Sequence, residues 1–83
     1  MVNEREVVLL KVEVDGTKIA EILIARRISA RELASASGVS YSALHRILGG
    51  GAFADVKTVG KICAGLKISP KEIYSEKERG RLI

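Results

Sequence analysis

Eighty-three residues with 47% hydrophobic and 29% charged side chains make one small folding domain, not a disordered chain. One Cys and one His exclude an internal disulfide and a structural zinc site, and no apolar run approaches the roughly 20 residues of a membrane span. The net charge of +4 is uneven: residues 1–15 carry −2, residues 16–75 carry +5 and residues 76–83 carry +1, so the central body suits a polyanionic partner.

No signal peptide is visible, so the expected location is the cytoplasm. A domain this small has marginal stability, and association with a second copy is the expected source of more.

The run Val7–Val14 is rich in β-branched residues and alternates, with Val8, Leu10, Val12 and Val14 on one face and Val7, Leu9, Lys11 and Glu13 on the other. It predicts a strand ended by Asp15-Gly16. No second strand is evident, so its backbone groups need a partner, and the same strand of a second chain is the simplest one. The alternative is that the strand packs over its own helices.

From Thr17 the periodicity becomes helical. Thr17 is expected to cap a first helix over about Lys18–Arg27, with Ile19, Ile22 and Leu23 on one face. Ser29-Ala30-Arg31-Glu32 has the form of a capping box and opens a second helix to about Ser37, where Gly38 supplies a left-handed turn residue. Ser40 caps a third helix, Tyr41–Leu48, halted by Gly49-Gly50-Gly51. Asp55 caps a fourth, Val56–Leu66, with Val59, Ile62, Cys63 and Leu66 facing a core. Ser69-Pro70-Lys71-Glu72 is a second capping box and predicts a fifth helix ending near Ser75.

The segment Ala30–Leu48 is therefore helix, tight turn, helix. Ala34 is small enough for a close helix crossing, Gly38 admits the turn, and Leu33, Val39, Leu44 and Ile47 fill the interior. Through Glu32-Leu33-Ala34, Gly38-Val39-Ser40, Leu44 and Ile47, and on through Thr58–Ser69, the chain resembles the lambda-repressor/Cro-type helix-turn-helix family over about residues 17–75.

The resemblance implies a mainly α fold, a five-helix bundle that lays its third helix in the major groove; the N-terminal strand lies outside the resemblance and is expected to pair across a dimer. The chain is thus expected to divide into a dimerisation arm (1–16), a DNA-binding domain (17–75) and a flexible tail (76–83). The chain departs from the family pattern at Ala30, where Gln is usual, at Leu48, where Glu is common, and at Gly51-Ala52 and Ala54, which replace a basic loop and its Pro.

With Leu44, Ile47 and Leu48 turned inward, Tyr41, Ser42, His45 and Arg46 share the outward face as base readers. Arg46 suits a guanine, Ser42 several bases, and Tyr41 either a phosphate oxygen or a thymine methyl. Ser29, Ala30 and Arg31 are expected to meet the phosphate backbone with Ser40, Lys57 and Lys61.

His45 has no second His for metal or catalytic work, and Cys63 reads as a small apolar core residue. Arg26-Arg27 complements the dipole of the first helix rather than binding phosphate. No paired carboxylate, triad or metal set is present, so neither an enzyme nor a cofactor is expected.

One recognition helix reads too few base pairs for genomic specificity. The expected function is thus a repressor-like transcriptional regulator binding palindromic duplex DNA as a homodimer through Val8, Leu10, Val12 and Val14. The alternative is an antitoxin-like or other protein-interaction module that retains the fold and binds a protein partner.

Overall fold

The computed structural model describes residues 11–50 and 52–75. In chain order they form strand β1 (Lys11–Val14), helices α1 (Gly16–Arg26), α2 (Ala30–Ser37) and α3 (Tyr41–Leu48), strand β2 (Ala52–Asp55), helix α4 (Val56–Leu66) and a 3-10 turn at Pro70–Glu72.

The architecture is mainly helical, as expected, with four α-helices instead of five and a two-stranded sheet. The fifth helix is a correction. Ser69 and Pro70 do start a turn, and Glu72 Oε2 accepts from the Ser69 N–H at 3.0 Å. After one turn, however, Ile73 is driven into the core, fully buried, and the backbone becomes extended. It bridges to β1, with Asp15 N–H donating to Ile73 O at 2.7 Å and Ser75 N–H donating to Glu13 O at 3.1 Å.

The strand's partner is also corrected. Lys11–Val14 pairs antiparallel with β2 of its own chain, in the register Lys11 to Asp55, Val12 to Ala54, Glu13 to Phe53 and Val14 to Ala52. The other side of β1 is met by the bridge from Val14 to Tyr74. One edge of the strand is thus paired along its length within the chain, and the other is met at its C-terminal end. Val12 and Val14 lie in the core of their own bundle rather than at a dimer contact, while Val8 and Leu10 lie outside the described residues. The predicted facing is right for this part of the strand, since Val12 and Val14 are buried and Lys11 is exposed. β2 escaped sequence reading because it is four residues long, two of them Ala, without a β-branched side chain.

The core gathers Val12, Val14 and Ala54 from the sheet, Ile19 and Leu23 from α1, Leu33 and Ala34 from α2, Leu44 and Ile47 from α3, and Val59, Ile62, Cys63 and Leu66 from α4, closed by Ile73. Burial pushes the Cys63 thiol up, and the Glu72 carboxylate adds to the effect, so Cys63 packs as a neutral thiol.

Helix ends follow one pattern twice. α1 stops at Arg27 and α4 at Lys67, both left-handed with φ of 56° and 58°, and the next residue, Ile28 or Ile68, donates back to Leu23 O or Cys63 O. In sequence the two ends read Arg27-Ile28-Ser29-Ala30-Arg31-Glu32 and Lys67-Ile68-Ser69-Pro70-Lys71-Glu72, each a helix stop with a start directly after it.

The first helix begins earlier than expected. Asp15, not Thr17, is its cap, with Asp15 Oδ1 accepting from Thr17 N–H at 3.0 Å, and Gly16 is the first helical residue. Arg26 serves a different helix from the one expected: its Nη1 donates to Leu66 O, satisfying a terminal carbonyl of α4.

Candidate nucleic-acid interface

Two caps fix the helix pair. Ser29 Oγ accepts from Glu32 N–H and Glu32 Oε1 accepts from Ser29 N–H, both at 3.0 Å, completing the expected capping box of α2. Gly38, at φ 72°, ends α2 and returns its N–H to Ala34 O at 3.0 Å. Ser40 Oγ then accepts from Ala43 N–H at 3.2 Å and starts α3. These signals were legible in the sequence because each is a local interaction of a residue with backbone only a few positions away.

α3 is anchored by Leu44 and Ile47, both fully buried, while Leu48 is half-buried. Tyr41, Ser42, His45 and Arg46 are exposed on its outer side. The period of the helix leaves no other arrangement once Leu44 and Ile47 are inside.

Gly16 fixes the far end of α3, which the sequence did not reveal. A Cβ at Gly16 would lie 2.3 Å from Ile47 O and 3.1 Å from both Cα and O of Leu48. The start of α1 therefore touches the backbone of the last turn of α3, a contact open only to glycine. On the other side of the pair, α2 crosses α4 at Ser37 and Gly65, where an added Cβ on Gly65 would approach Ser37 Oγ to 2.5 Å. Ala34, expected at a helix contact, is buried. Ser37 Oγ is buried without a hydrogen-bond partner, set against that glycine.

Three of the expected contact residues form one column. The Arg31 guanidinium carbon sits 4.2 Å from the centroid of the Tyr41 ring, within cation–π range. The Tyr41 and His45 rings come next, 5.7 Å apart between centroids and tilted by 47°. The column joins the first turn of α2 to the outer face of α3. Sequence spacing could not show it, since Arg31 and Tyr41 meet only through the turn at Gly38.

The other expected phosphate contacts lie apart from the column. Ser29 and Ser40 are exposed caps whose oxygens accept from backbone N–H groups, which leaves each hydroxyl proton to donate. Ala30 is half-buried, offering its backbone N–H alone as a donor. Lys57 and Lys61 are exposed along α4. Beside Lys57, Asp55 caps α4, its Oδ1 accepting from Thr58 N–H at 2.7 Å. Hydrogen bonds from Thr58 hold its carboxyl below the usual range, helped by Lys11 and Lys57.

Among the described residues no group of His, Cys, Asp and Glu is arranged for a metal ion, and no helix is long and apolar enough to cross a membrane.

Comparison with known proteins agrees with this geometry. The model of the Cro/C1-type HTH DNA-binding domain matches residues 18–77. The chain is similar to the restriction-modification controller protein C.AhdI from Aeromonas hydrophila, with 26% identity and a TM-score of 0.63 over 69% of this chain and 86% of that one. It also shares its fold with a solved structure of PhpD with cadmium atoms, at 20% identity and a TM-score of 0.66, where the match covers 78% of this chain but only 14% of that protein's length. No curated protein matches it significantly. A capped helix pair with an exposed second helix, matched in family over residues 18–77, leads to one assignment: the chain belongs to the Cro/C1-type helix-turn-helix DNA-binding domain family.

Proposed function

We propose that this protein is a repressor-like transcriptional regulator that binds duplex DNA sequence-specifically, inserting α3 into the major groove. The observation that carries the reading is the division of α3: Leu44 and Ile47 are fully buried while Tyr41, Ser42, His45 and Arg46 stand exposed as a ridge. In this reading Ser42, His45 and Arg46 meet base edges, Arg46 engaging a guanine through two N–H groups. Ser29, Ala30, Arg31, Ser40, Lys57 and Lys61 meet phosphates and fix the register.

A single helix of eight residues spans too few base pairs to select one genomic site, so two copies act on a palindrome, with their α3 helices about 34 Å apart. The internal pairing of β1 occupies one edge of residues 11–14 within the chain. The naming of C.AhdI as a controller protein supports the regulatory reading.

Selection of bound duplexes from a random pool tests the proposal. A palindrome among the enriched sequences is expected, protected over two half-sites in a footprint; a pool that remains random after repeated selection overturns it.

A second reading, a module that binds protein as well as DNA, draws on Phe53 and Val56, which are 54% and 49% exposed near the β2–α4 junction. Salt separates the two readings. Several phosphate contacts make affinity fall roughly 10²–10⁴-fold between about 50 and about 200 mM salt, whereas an apolar protein contact strengthens or stays level.

A further inference from the structure

We infer that Tyr41 is a positioning residue and not a base reader: its ring is the platform that holds Arg31 as a ready-made phosphate clamp. The inference rests on the DNA-binding reading above and narrows it. Tyr41 heads α3, and Arg31 is the second residue of α2, so the two belong to different helices joined by the Gly38 turn. The guanidinium carbon of Arg31 stands 4.2 Å from the Tyr41 ring centroid.

A guanidinium that stacks uses its flat face, while its N–H donors lie in its own plane and point away from the ring. Arg31 commits none of those donors to a described residue. It is a cation centred over an aromatic ring with its N–H donors still to be used. That combination suits the two oxygens of a phosphate, which accept a parallel pair of N–H bonds.

Tyr41 is the constrained partner. Arg31 sits against its ring and His45 lies 5.7 Å away at a tilt, so the ring has a neighbour from each of the two helices. It is 37% exposed, the lowest exposure among the four exposed large apolar or aromatic side chains of the described residues, Ile24, Tyr41, Phe53 and Val56. With Arg31 over its ring, Tyr41 gives that face to a side chain of α2 and not to a base. An unstacked arginine loses considerable side-chain freedom when it grips a phosphate; one already laid on an aromatic face loses less. The ring, not the phenol hydroxyl, does the holding.

The test is a set of titrations of a mixed-sequence duplex of about 20 base pairs across about 50 to about 200 mM salt, repeated with the duplex recovered by selection. Arg31→Ala is expected to reduce the slope of log affinity against log salt by about one, the value of one lost phosphate contact. Tyr41→Leu leaves the charge and removes its platform, so it should weaken binding to both duplexes about equally at every salt concentration, an effect absent from the Arg31→Ala background. Tyr41→Phe keeps the ring and should bind as the parent does on both duplexes.

A Tyr41→Leu protein with the parent's affinity for both duplexes overturns the inference. So does a Tyr41→Phe or Tyr41→Leu protein whose preference relaxes at one base pair of the selected site, because that marks a base reader. Tyr41→Gln, which also removes the ring from an exposed helical position, serves if the Leu variant fails to fold. If the parent chain binds neither duplex, the DNA-binding reading itself fails, a result plainly different from a parent that binds while Tyr41→Leu keeps the parent's affinity.

Discussion

At Gly16 the first turn of α1 rests on the backbone of α3, and a methyl group there would stand 2.3 Å from Ile47 O. That oxygen belongs to the helix carrying the proposed base readers, so crowding it moves the reading surface. Gly16→Ala is expected to cost about 1–3 kcal/mol of stability, the usual range for overpacking, seen as a lower urea midpoint with an unchanged slope. The same variant should bind the selected duplex more weakly even under conditions where it remains folded. A midpoint equal to the parent's shows that α1 can retreat without cost and that Gly16 is no anchor. Arg46 is exposed on α3, one position beyond His45. Arg46→Ala should lose about 1–3 kcal/mol on the selected duplex and relax preference at one base pair, read by competition among single-base variants. A uniform loss across all those variants places Arg46 on a phosphate instead. Neither the Gly16 contact nor the Arg31–Tyr41 stack is visible in sequence, because each joins residues of different helices whose distance is set by the packing between them. The four exposed positions of α3 were visible, because they result from helical period once Leu44 and Ile47 are inside.

The elements themselves are governed by their ends. Ser29, Ser40 and Asp55 each accept a backbone N–H three residues on, and these caps set where α2, α3 and α4 begin. Their boundaries were legible for that reason, since a cap is decided within one turn of chain. Asp55 adds a charge to this. Its carboxyl is held below the usual range chiefly by hydrogen bonds from Thr58, so the folded state favours the ionised form. A depressed carboxyl contributes stability above its unfolded-state pKa and loses that contribution as pH falls through the folded-state value. Asn accepts the same N–H without titrating. Asp55→Asn is therefore expected to lose less stability than the parent between about pH 6 and about pH 3, tracked as the urea midpoint at each pH. Parallel decline of the two proteins assigns the acid sensitivity to other carboxylates. The fifth helix differs from expectation at the same scale. Ser69-Pro70-Lys71-Glu72 carries a sound start signal, but a start signal does not specify length, and the length was decided by Ile73 entering the core.

At the scale of the whole molecule, β1 lies between two segments distant in sequence: β2 pairs along one edge, and Tyr74 bridges to Val14 on the other. Ile73, fully buried, is the side chain that draws the end of the described chain onto that sheet. Ile73→Ala should cost about 2–5 kcal/mol, the range for a large-to-small change in a packed core. Hydrogen exchange should show faster loss of protection at the Asp15 amide, which donates to Ile73 O at 2.7 Å. Undiminished protection there would mean that the bridge holds without its buried anchor. Arg26 acts across the molecule in the same way, joining the end of α1 to the last carbonyl of α4. The chain alone determined the helical periods, the caps of α2, α3 and α4, the turn at Gly38 and hence the outward face of α3, since all of these are settled by interactions within a few residues. The tertiary structure alone decided that β1 pairs with β2 in the same chain, that the last helix shrinks to a turn, that Gly16 supports α3 and that Arg31 rests on Tyr41. Each of these depends on contacts between separate elements, and their energies exist only once the core has brought those elements together.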